Sequence, residues 1–379
     1  MNNIGIYVHI PFCASKCKYC DFFSKSGNDD EINRYVSAVN ERLAKYGKEL
    51  NRTADTLYIG GGTPGIIGAD RLSSIAKTAK FAFMIDDNAE ITAELNPASA
   101  DESFDFSKLR QAGFNRLSIG MQSANNNELK RLGRLHTAED VKTTVLSARK
   151  AGFKNISLDL MLCIPEQTKE SLAHSIEYCA ELGVEHISAY ILKIEEGTPF
   201  YKEKDALTLD EDTQAELYLF ACEKLEQLGY HQYEISNFSK NGMESKHNLK
   251  YWDCDEYLGV GCAAHSFING KRFYTERSFD EFYKGITYQD GEGGSIEEYI
   301  MLRLRLAKGL TQKDFKRRFG IKIPENYIKN AKKFAKTNLL IYDDNGIKFT
   351  RDGFLISNTL ILEILSGCLL YTSPSPRDS

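Results

Sequence analysis

The chain has 379 residues, 42% of them apolar, and a formal net charge of −5. That is enough apolar material for two domains, or for one large barrel with an appendage, and the charge speaks against a protein coated throughout by nucleic acid. No apolar run approaches the ~20 residues needed to span a bilayer. Residues 1–10 show neither a charged n-region nor a small-residue cleavage site, so a soluble protein of a reducing cytoplasm is expected.

The first half alternates strand and helix. Continuous apolar runs rich in Ile, Leu and Val fall at Ile4–Ile10, Thr56–Gly60, Glu90–Leu95, Arg116–Met121, Asn155–Leu162 and His186–Leu192. Helical periodicity fills the gaps, at about Asp30–Leu50, Asp70–Phe83, Phe104–Ala112, Asn125–Leu132, Ala138–Ala151 and Lys169–Leu182. Strands of this kind belong to a parallel sheet covered on both faces. Six such units in succession predict an α/β fold, a partial (βα)6 TIM-like barrel over residues 1–235. An amphipathic helix at 210–230 and an extended stretch, Tyr233–Phe238, follow. Residues 236–295 read as a connecting region, with a glycine- and aromatic-rich loop at 245–270. Residues 296–366 read as a small C-terminal domain of helices and a hairpin around Asn345-Gly346, a winged-helix-like arrangement. The stretch 367–379 ends in Ser-Pro-Ser-Pro-Arg-Asp-Ser and is read as a non-native tail, a cloning scar or read-through.

Cys13, Cys17 and Cys20 follow the first strand with C-x3-C-x2-C spacing. Three thiolates can hold three corners of a four-iron cubane and leave one iron open to bind another group. A structural zinc site completed by His9 is the weaker alternative, because zinc knuckles usually divide their ligands into two pairs across a longer loop. Of the remaining six cysteines, Cys163, Cys179 and Cys222 lie on apolar faces and read as small core residues.

Polar residues recur at strand ends: His9 after the first, Gly60-Gly61-Gly62-Thr63-Pro64 after the second, Glu94-Leu95-Asn96-Pro97 at the third and Gln122-Ser123 at the fourth. Asp159 lies in the fifth. Barrel enzymes place their chemistry on that face. A glycine strand-end lets backbone approach a cofactor closely. It could also cradle a phosphate, but no Gly-Lys-Ser/Thr follows, which disfavours a P-loop. Glu94 is placed to accept from ribose hydroxyls or an amino group, Arg134 to meet a carboxylate and Tyr19 to flank an adenine. Taken singly each is as readily structural; their common placement is the argument.

Tyr7-Val-His-Ile-Pro-Phe-Cys, the cysteine motif, Gly-Gly-Gly-Thr-Pro, Glu-Leu-Asn-Pro, Arg-Leu-Ser-Ile-Gly-Met-Gln-Ser and Asp-Leu-Met-Leu-Cys-Ile-Pro together resemble the radical SAM family of oxygen-independent coproporphyrinogen III oxidases, from about Ile4 to Leu365. The resemblance implies a [4Fe-4S] cluster on Cys13, Cys17 and Cys20. It implies S-adenosylmethionine contacts from Tyr7, Tyr19, Gly61 and Glu94, and a second such molecule at positions matching Gly62, Thr63, Gln122, Arg134 and Asp159. It also implies either of two functions in porphyrin biosynthesis and use. One is oxidative decarboxylation of coproporphyrinogen III to protoporphyrinogen IX. The other, in the family's haem-chaperone branch, is carriage of haem to apo-haemoproteins such as respiratory enzymes.

Three features favour the chaperone branch. Phe22 stands where the oxidases carry a further cysteine, only six residues precede Tyr7, and His247-Asn248-Leu-Lys-Tyr251-Trp252 matches the branch's His-Asn-x-x-Tyr-Trp motif. A neutral imidazole is a common axial ligand for haem iron. Tyr251 and Trp252, the chain's single tryptophan, offer flat faces for a porphyrin. Read without the family, the same histidine is more simply a loop residue beside a packed Trp. Cys262 and His265 are nearby alternatives for iron ligation. Between Thr311 and Leu340 nine Lys/Arg stand against Asp314 and Glu325, a net of +7. A DNA-binding iron–sulfur regulator is the remote reading of that segment. Contact with an anionic membrane surface or an acidic partner is the nearer one.

Overall fold

The computed structural model describes residues 3–100 and 103–366. The expected non-native tail therefore lies outside the described residues. Six parallel strands, β1 (Ile4–Ile10), β2 (Ala54–Gly61), β3 (Glu90–Leu95), β4 (Arg116–Gln122), β5 (Asn155–Leu162) and β6 (His186–Ile191), stand side by side in sequence order. Between them run α1 (Asp29–Leu50), α2 (Gly68–Ala82), α3 (Phe106–Ala112), α4 (Asn126–Leu132), α5 (Ala138–Lys150) and α6 (Lys169–Glu181). The helix starts are strongly specified. At α1, Asn28 accepts from the Glu31 N–H and Glu31 reaches back to the Asn28 N–H, which satisfies two of the donors a helix leaves open. The sheet's helix-facing side chains, such as Ile6, Val8, Leu57, Ile59, Leu117 and Leu158, are all buried in one continuous core.

Among the described residues the sheet has twelve strands in an open order, from β12 to β7, and does not close. Beyond β6, helices α7 (Lys204–Leu207) and α8 (Glu211–Gln227) precede β7 (His231–Glu234) and β8 (Asn237–Ser239), which pair antiparallel with each other and with β6. The stretch expected as one extended run thus turns back on itself at Ile235-Ser236.

The segment 236–295 differs from the expected connecting region. After α9 (Lys246–Trp252), β9 (Tyr257–Val260) pairs in parallel with β1. β10 (His265–Ile268), β11 (Lys271–Tyr274) and, after α10 (Phe279–Lys284), β12 (Tyr288–Glu292) extend that edge. Two of the glycines that suggested a loop, Gly259 and Gly261, serve close backbone approach instead. A Cβ on Gly259 would sit 2.1 Å from the His265 carbonyl oxygen, so only glycine lets β9 and β10 cross there.

The C-terminal unit begins with α11 (Ile296–Arg303). It continues with β13 (Leu310–Thr311), α12 (Gln312–Phe319), α13 (Glu325–Lys332), β14 (Leu340–Asp343), β15 (Gly346–Phe349), α14 (Arg351–Leu355) and α15 (Ser357–Leu365). A three-stranded sheet in the order β13-β15-β14 forms its wing. Some of its basic charge is spent internally. Arg318 donates to the Asp253 and Cys254 carbonyls, and Asp314 is ringed by Arg303, Lys308 and Arg317. No described helix is long and apolar enough to cross a membrane.

Ile59 lies at the centre of β2 with no exposure. Ile59→Ala is expected to cost about 2–5 kcal/mol of stability, with an unchanged urea m-value in equilibrium unfolding.

Candidate cofactor and cluster site

The cysteine loop is held to the sheet by backbone. The Gly62 and Thr63 N–H groups donate to the Ile10 and Phe12 carbonyls (both 2.8 Å), and the Cys13 N–H donates to Lys25 O (3.0 Å). Farther along, the Lys18 N–H donates to Leu132 O (3.1 Å). The loop after β1 is thereby tied to the end of β2 and to α4. His9 is the internal anchor. Its Nε2–H donates to the Phe23 carbonyl (3.2 Å), which leaves Nδ1 to accept from the Tyr7 hydroxyl (3.0 Å). Burial pulls its pKa down to about 4, so the ring is neutral. Both nitrogens are thus engaged, one by β1 and one by the loop. Among the described residues no group of three or more His, Cys, Asp or Glu is arranged around a single ion.

Cys13, Cys17 and Cys20 are free, half-buried thiols. Cys13 Sγ lies 3.2 Å from Thr63 Oγ1, and Cys17 Sγ accepts from Arg134 Nη1 at 3.5 Å. Burial pushes the Cys20 thiol up to about 11, and its two neighbouring sulfurs add to the effect. Three cysteine sulfurs on one short loop are a soft donor set of the kind an iron–sulfur cluster takes. Glycines clear the surrounding space. A Cβ on Gly62 would fall 3.0 Å from Cys13 Sγ, one on Gly120 would fall 2.8 Å from Arg134 Nη2, and one on Gly60 would fall 2.9 Å from the Glu94 carboxylate. Gly61 has φ +117°, a conformation closed to most other residues, and the His9 ring packs against it. The buried Arg134 Nε has no hydrogen-bond partner among the described residues, although Nη2 donates to Gly120 O. A soft, three-thiol donor set beside a glycine-cleared cradle and an unused guanidinium N–H fits a cluster carrying a small zwitterionic ligand.

Glu94 accepts from the Tyr58 hydroxyl (2.7 Å) and the Gly61 N–H (3.0 Å). Asp159 accepts from the Ser118 hydroxyl (3.2 Å). Burial raises both carboxyls, Glu94 to about 7 and Asp159 to about 6. Gln122 sits in the left-handed region (φ 69°) where the β4–β5 register shifts, and it accepts from the Tyr190 hydroxyl (2.8 Å). Burial also raises the Tyr19 pKa, with the Arg134 charge opposing it and Cys17, Cys20 and Asp159 nearby.

Three participants were not singled out from sequence: Tyr58, Tyr190 and Arg116. Tyr58 was recoverable, since period-two alternation in β2 puts it on the same face as Gly60. Arg116 is 1% exposed, and its Nε and Nη1 have no partner among the described residues. Nothing in its sequence neighbourhood marks it as interior.

The His-Asn-x-x-Tyr-Trp segment lies elsewhere. It forms α9, whose first N–H groups at Lys246 and His247 donate to the Glu90 carboxylate at the start of β3 (both 3.0 Å). This is the opposite end of the strands from the cysteines. His247 is 1% exposed, its Nδ1 is 2.8 Å from Thr56 Oγ1 and its Nε2 is 2.9 Å from the Tyr251 hydroxyl. Its ring stacks on Tyr58 at 5.2 Å. Asn248 and Tyr251 are half-buried and Trp252 is buried. The segment lies at the floor of the half-barrel, with both ring nitrogens of His247 engaged. Cys262 is buried, and its Sγ lies 3.5 Å from the Ser278 carbonyl.

A half-barrel of six βα units with three cysteines after β1 and a glycine-ended β2 defines a radical SAM protein. The Radical SAM superfamily profile matches residues 7–179, and that of the HemN C-terminal domain matches residues 295–356. Membership of that superfamily implies a [4Fe-4S] cluster and S-adenosylmethionine. A heme chaperone HemW from Bacillus subtilis is 36% identical over 93% of this chain and 96% of its own length. The heme chaperone HemW of Haemophilus influenzae is 33% identical over 94% and 97%. The zebrafish mitochondrial radical S-adenosyl methionine domain-containing protein 1 is 30% identical over 95% and 86%. The chain belongs to the HemW family of radical SAM proteins. The solved coproporphyrinogen III oxidase HemN of Escherichia coli shares the fold, with a TM-score of 0.81 over 96% of this chain and 90% of that one, at 21% identity.

Because the Glu94 carboxyl keeps its proton in the folded protein to higher pH than in the unfolded chain, the folded state binds more protons between about pH 4.5 and 7. The cofactor-free protein should therefore lose stability as pH rises through that window, by a contribution on the order of 3 kcal/mol. Glu94→Gln should flatten the profile there, measured as the urea midpoint against pH. An unchanged slope would count against a protonated Glu94.

Proposed function

We propose that this protein is a haem chaperone that carries a SAM-associated [4Fe-4S] cluster and delivers haem to apo-haemoproteins. The observation that carries the reading is the near full-length similarity to proteins named heme chaperone HemW, at 30–36% identity. The site geometry supports the cofactor part of it. Cys13, Cys17 and Cys20 are the cluster ligands in this reading. The bound cofactor pair supplies an iron with an open coordination position and a sulfonium ligand on it. Gly61, Gly62 and Thr63 give backbone access to that ligand, Tyr7 and Tyr19 flank it, and Glu94 and Asp159 accept from its hydroxyls or amino group. Arg134 offers an N–H to its carboxylate, and Gln122, held by Tyr190, closes the far wall. Haem is the cargo, and respiratory enzymes are the recipients proposed for it. The protein works in the cytoplasm, and the basic face of α12 and α13 suits contact with an anionic membrane surface where such recipients reside.

Anaerobic reconstitution tests the cluster assignment. Cys13→Ser, Cys17→Ser and Cys20→Ser should each lose the cluster's visible absorbance and its iron and sulfide content, whereas Cys179→Ser should retain them. Equal loading in all four would overturn the assignment.

The function is tested by adding ferric haem to the reconstituted protein. Stoichiometric growth of the Soret band and quenching of Trp252, the sole tryptophan, are expected, with no protoporphyrinogen formed from coproporphyrinogen III under reducing, anaerobic conditions. Turnover in that assay would favour the oxidase reading that the shared fold leaves as the alternative.

A further inference from the structure

Beside the cysteine loop, the sheet extension carries an aromatic row that the cofactor site does not use. His265 at the start of β10 pairs across the strands with Tyr274 on β11, which pairs with Tyr288 on β12. The rings are stacked. His265 and Tyr274 have centroids 5.1 Å apart at 19°, and Tyr274 and Tyr288 5.7 Å apart at 28°. The row is open to solvent, with the His265 side chain 38% exposed. Gly261, just before this strand, packs against the His9 backbone, so the row begins at the same strand ends that hold the cysteine loop.

Its chemistry suits a flat, iron-bearing, anionic ligand. Nε2 of His265 has no hydrogen bond among the described residues, while the Asp290 carboxylate lies 3.9 Å from Nδ1. Nδ1 is the nitrogen that carries the proton when Nε2 binds a metal, and a neighbouring carboxylate favours that tautomer. Burial lowers the His265 pKa against the pull of Asp290, which keeps the ring neutral and able to ligate. A metal on Nε2 lies in the imidazole plane. A macrocycle bonded there therefore lies across the rims of the stack and meets Tyr274 and Tyr288 edge to face, a favoured aromatic geometry. Arg277, 55% exposed and 3.2 Å from Asp21, offers a cation to a propionate at the border of the shelf. The next residue, Phe22, is 64% exposed, an apolar side chain on the loop bound to that arginine. His247 has none of these properties: it is enclosed, and both its ring nitrogens are taken.

We propose that haem docks on the His265–Tyr274–Tyr288 shelf with His265 as an axial ligand, Arg277 facing a propionate and Phe22 covering the macrocycle edge. His247 shapes the floor of the barrel and does not bind the iron. This rests on the haem-carrying reading above. The test is titration of ferric haem into full-length wild type, His265→Ala, Tyr274→Leu and His247→Ala, read by the Soret position and by the spin-state bands of the bound iron. His265→Ala should weaken binding about tenfold or more and lose the histidine-ligated signature, and free imidazole should restore that signature. The rescue separates a missing ligand from a misfolded chain. Tyr274→Leu should weaken binding while keeping the signature, and His247→Ala should keep the wild-type bands. If wild type takes up no stoichiometric haem, the chaperone reading falls and the shelf with it. If wild type and His265→Ala give the same bands, or imidazole restores nothing, His265 is not the ligand, although the chaperone reading survives.

Discussion

The seam between β1 and β2 is the constraint on which the rest of the site depends. Parallel pairing brings the two strands to their C-terminal ends together, and the backbone ladder continues past them, from Gly62 and Thr63 to Ile10 and Phe12. Side chains larger than hydrogen at 61 and 62 would collide with the His9 ring, the Phe12 carbonyl and Cys13 Sγ. The cysteine loop can therefore lie directly on the strand ends, and its thiols come within reach of Thr63 and Arg134. Neutral His9 completes the seam from inside by joining Tyr7 to the far side of the same loop at Phe23.

From that seam a polar column runs down the interior of the half-barrel. Glu94, Tyr58 and His247 are linked in turn, by a hydrogen bond and then by a ring stack. Buried carboxyls in such a column are costly to ionise, and burial raises the pKa of both Glu94 and Asp159. A cationic ligand group arriving at the open end would relieve that cost. At the other end of the same column, α9 with Tyr251 and Trp252 seals the interior. Two motifs far apart in sequence are in this way coupled through one interior.

Much of this was legible beforehand. The six apolar runs appear as β1–β6 in sequence order, because a parallel strand covered on both faces writes itself as an uninterrupted apolar stretch. Glu94, Gln122 and Asp159 stand on neighbouring parallel strands, as the order of βα units requires. The stretch 245–270 was not legible. Gly259 and Gly261 serve as contact points between β9, β10 and β1, and a non-local pairing partner leaves no local periodicity. Tyr58, Tyr190 and Arg116 escaped notice because what distinguishes them is the partner each meets, or lacks, inside the barrel.

The sequence by itself determined the chemistry. The C-x3-C-x2-C spacing, the glycine strand-end and the order of βα units are local facts, fixed by covalent spacing and backbone sterics. Only the tertiary structure decided which side chains remain available for further chemistry. His9 and His247 look like ligands in the sequence, but burial and two hydrogen bonds apiece occupy their nitrogens. His265 reads in the sequence as either an iron ligand or a loop residue, and cross-strand register stacks it on Tyr274 and leaves an edge open. Availability depends on solvent exposure and on competing partners, and both are set by how strands, helices and loops pack in the fold.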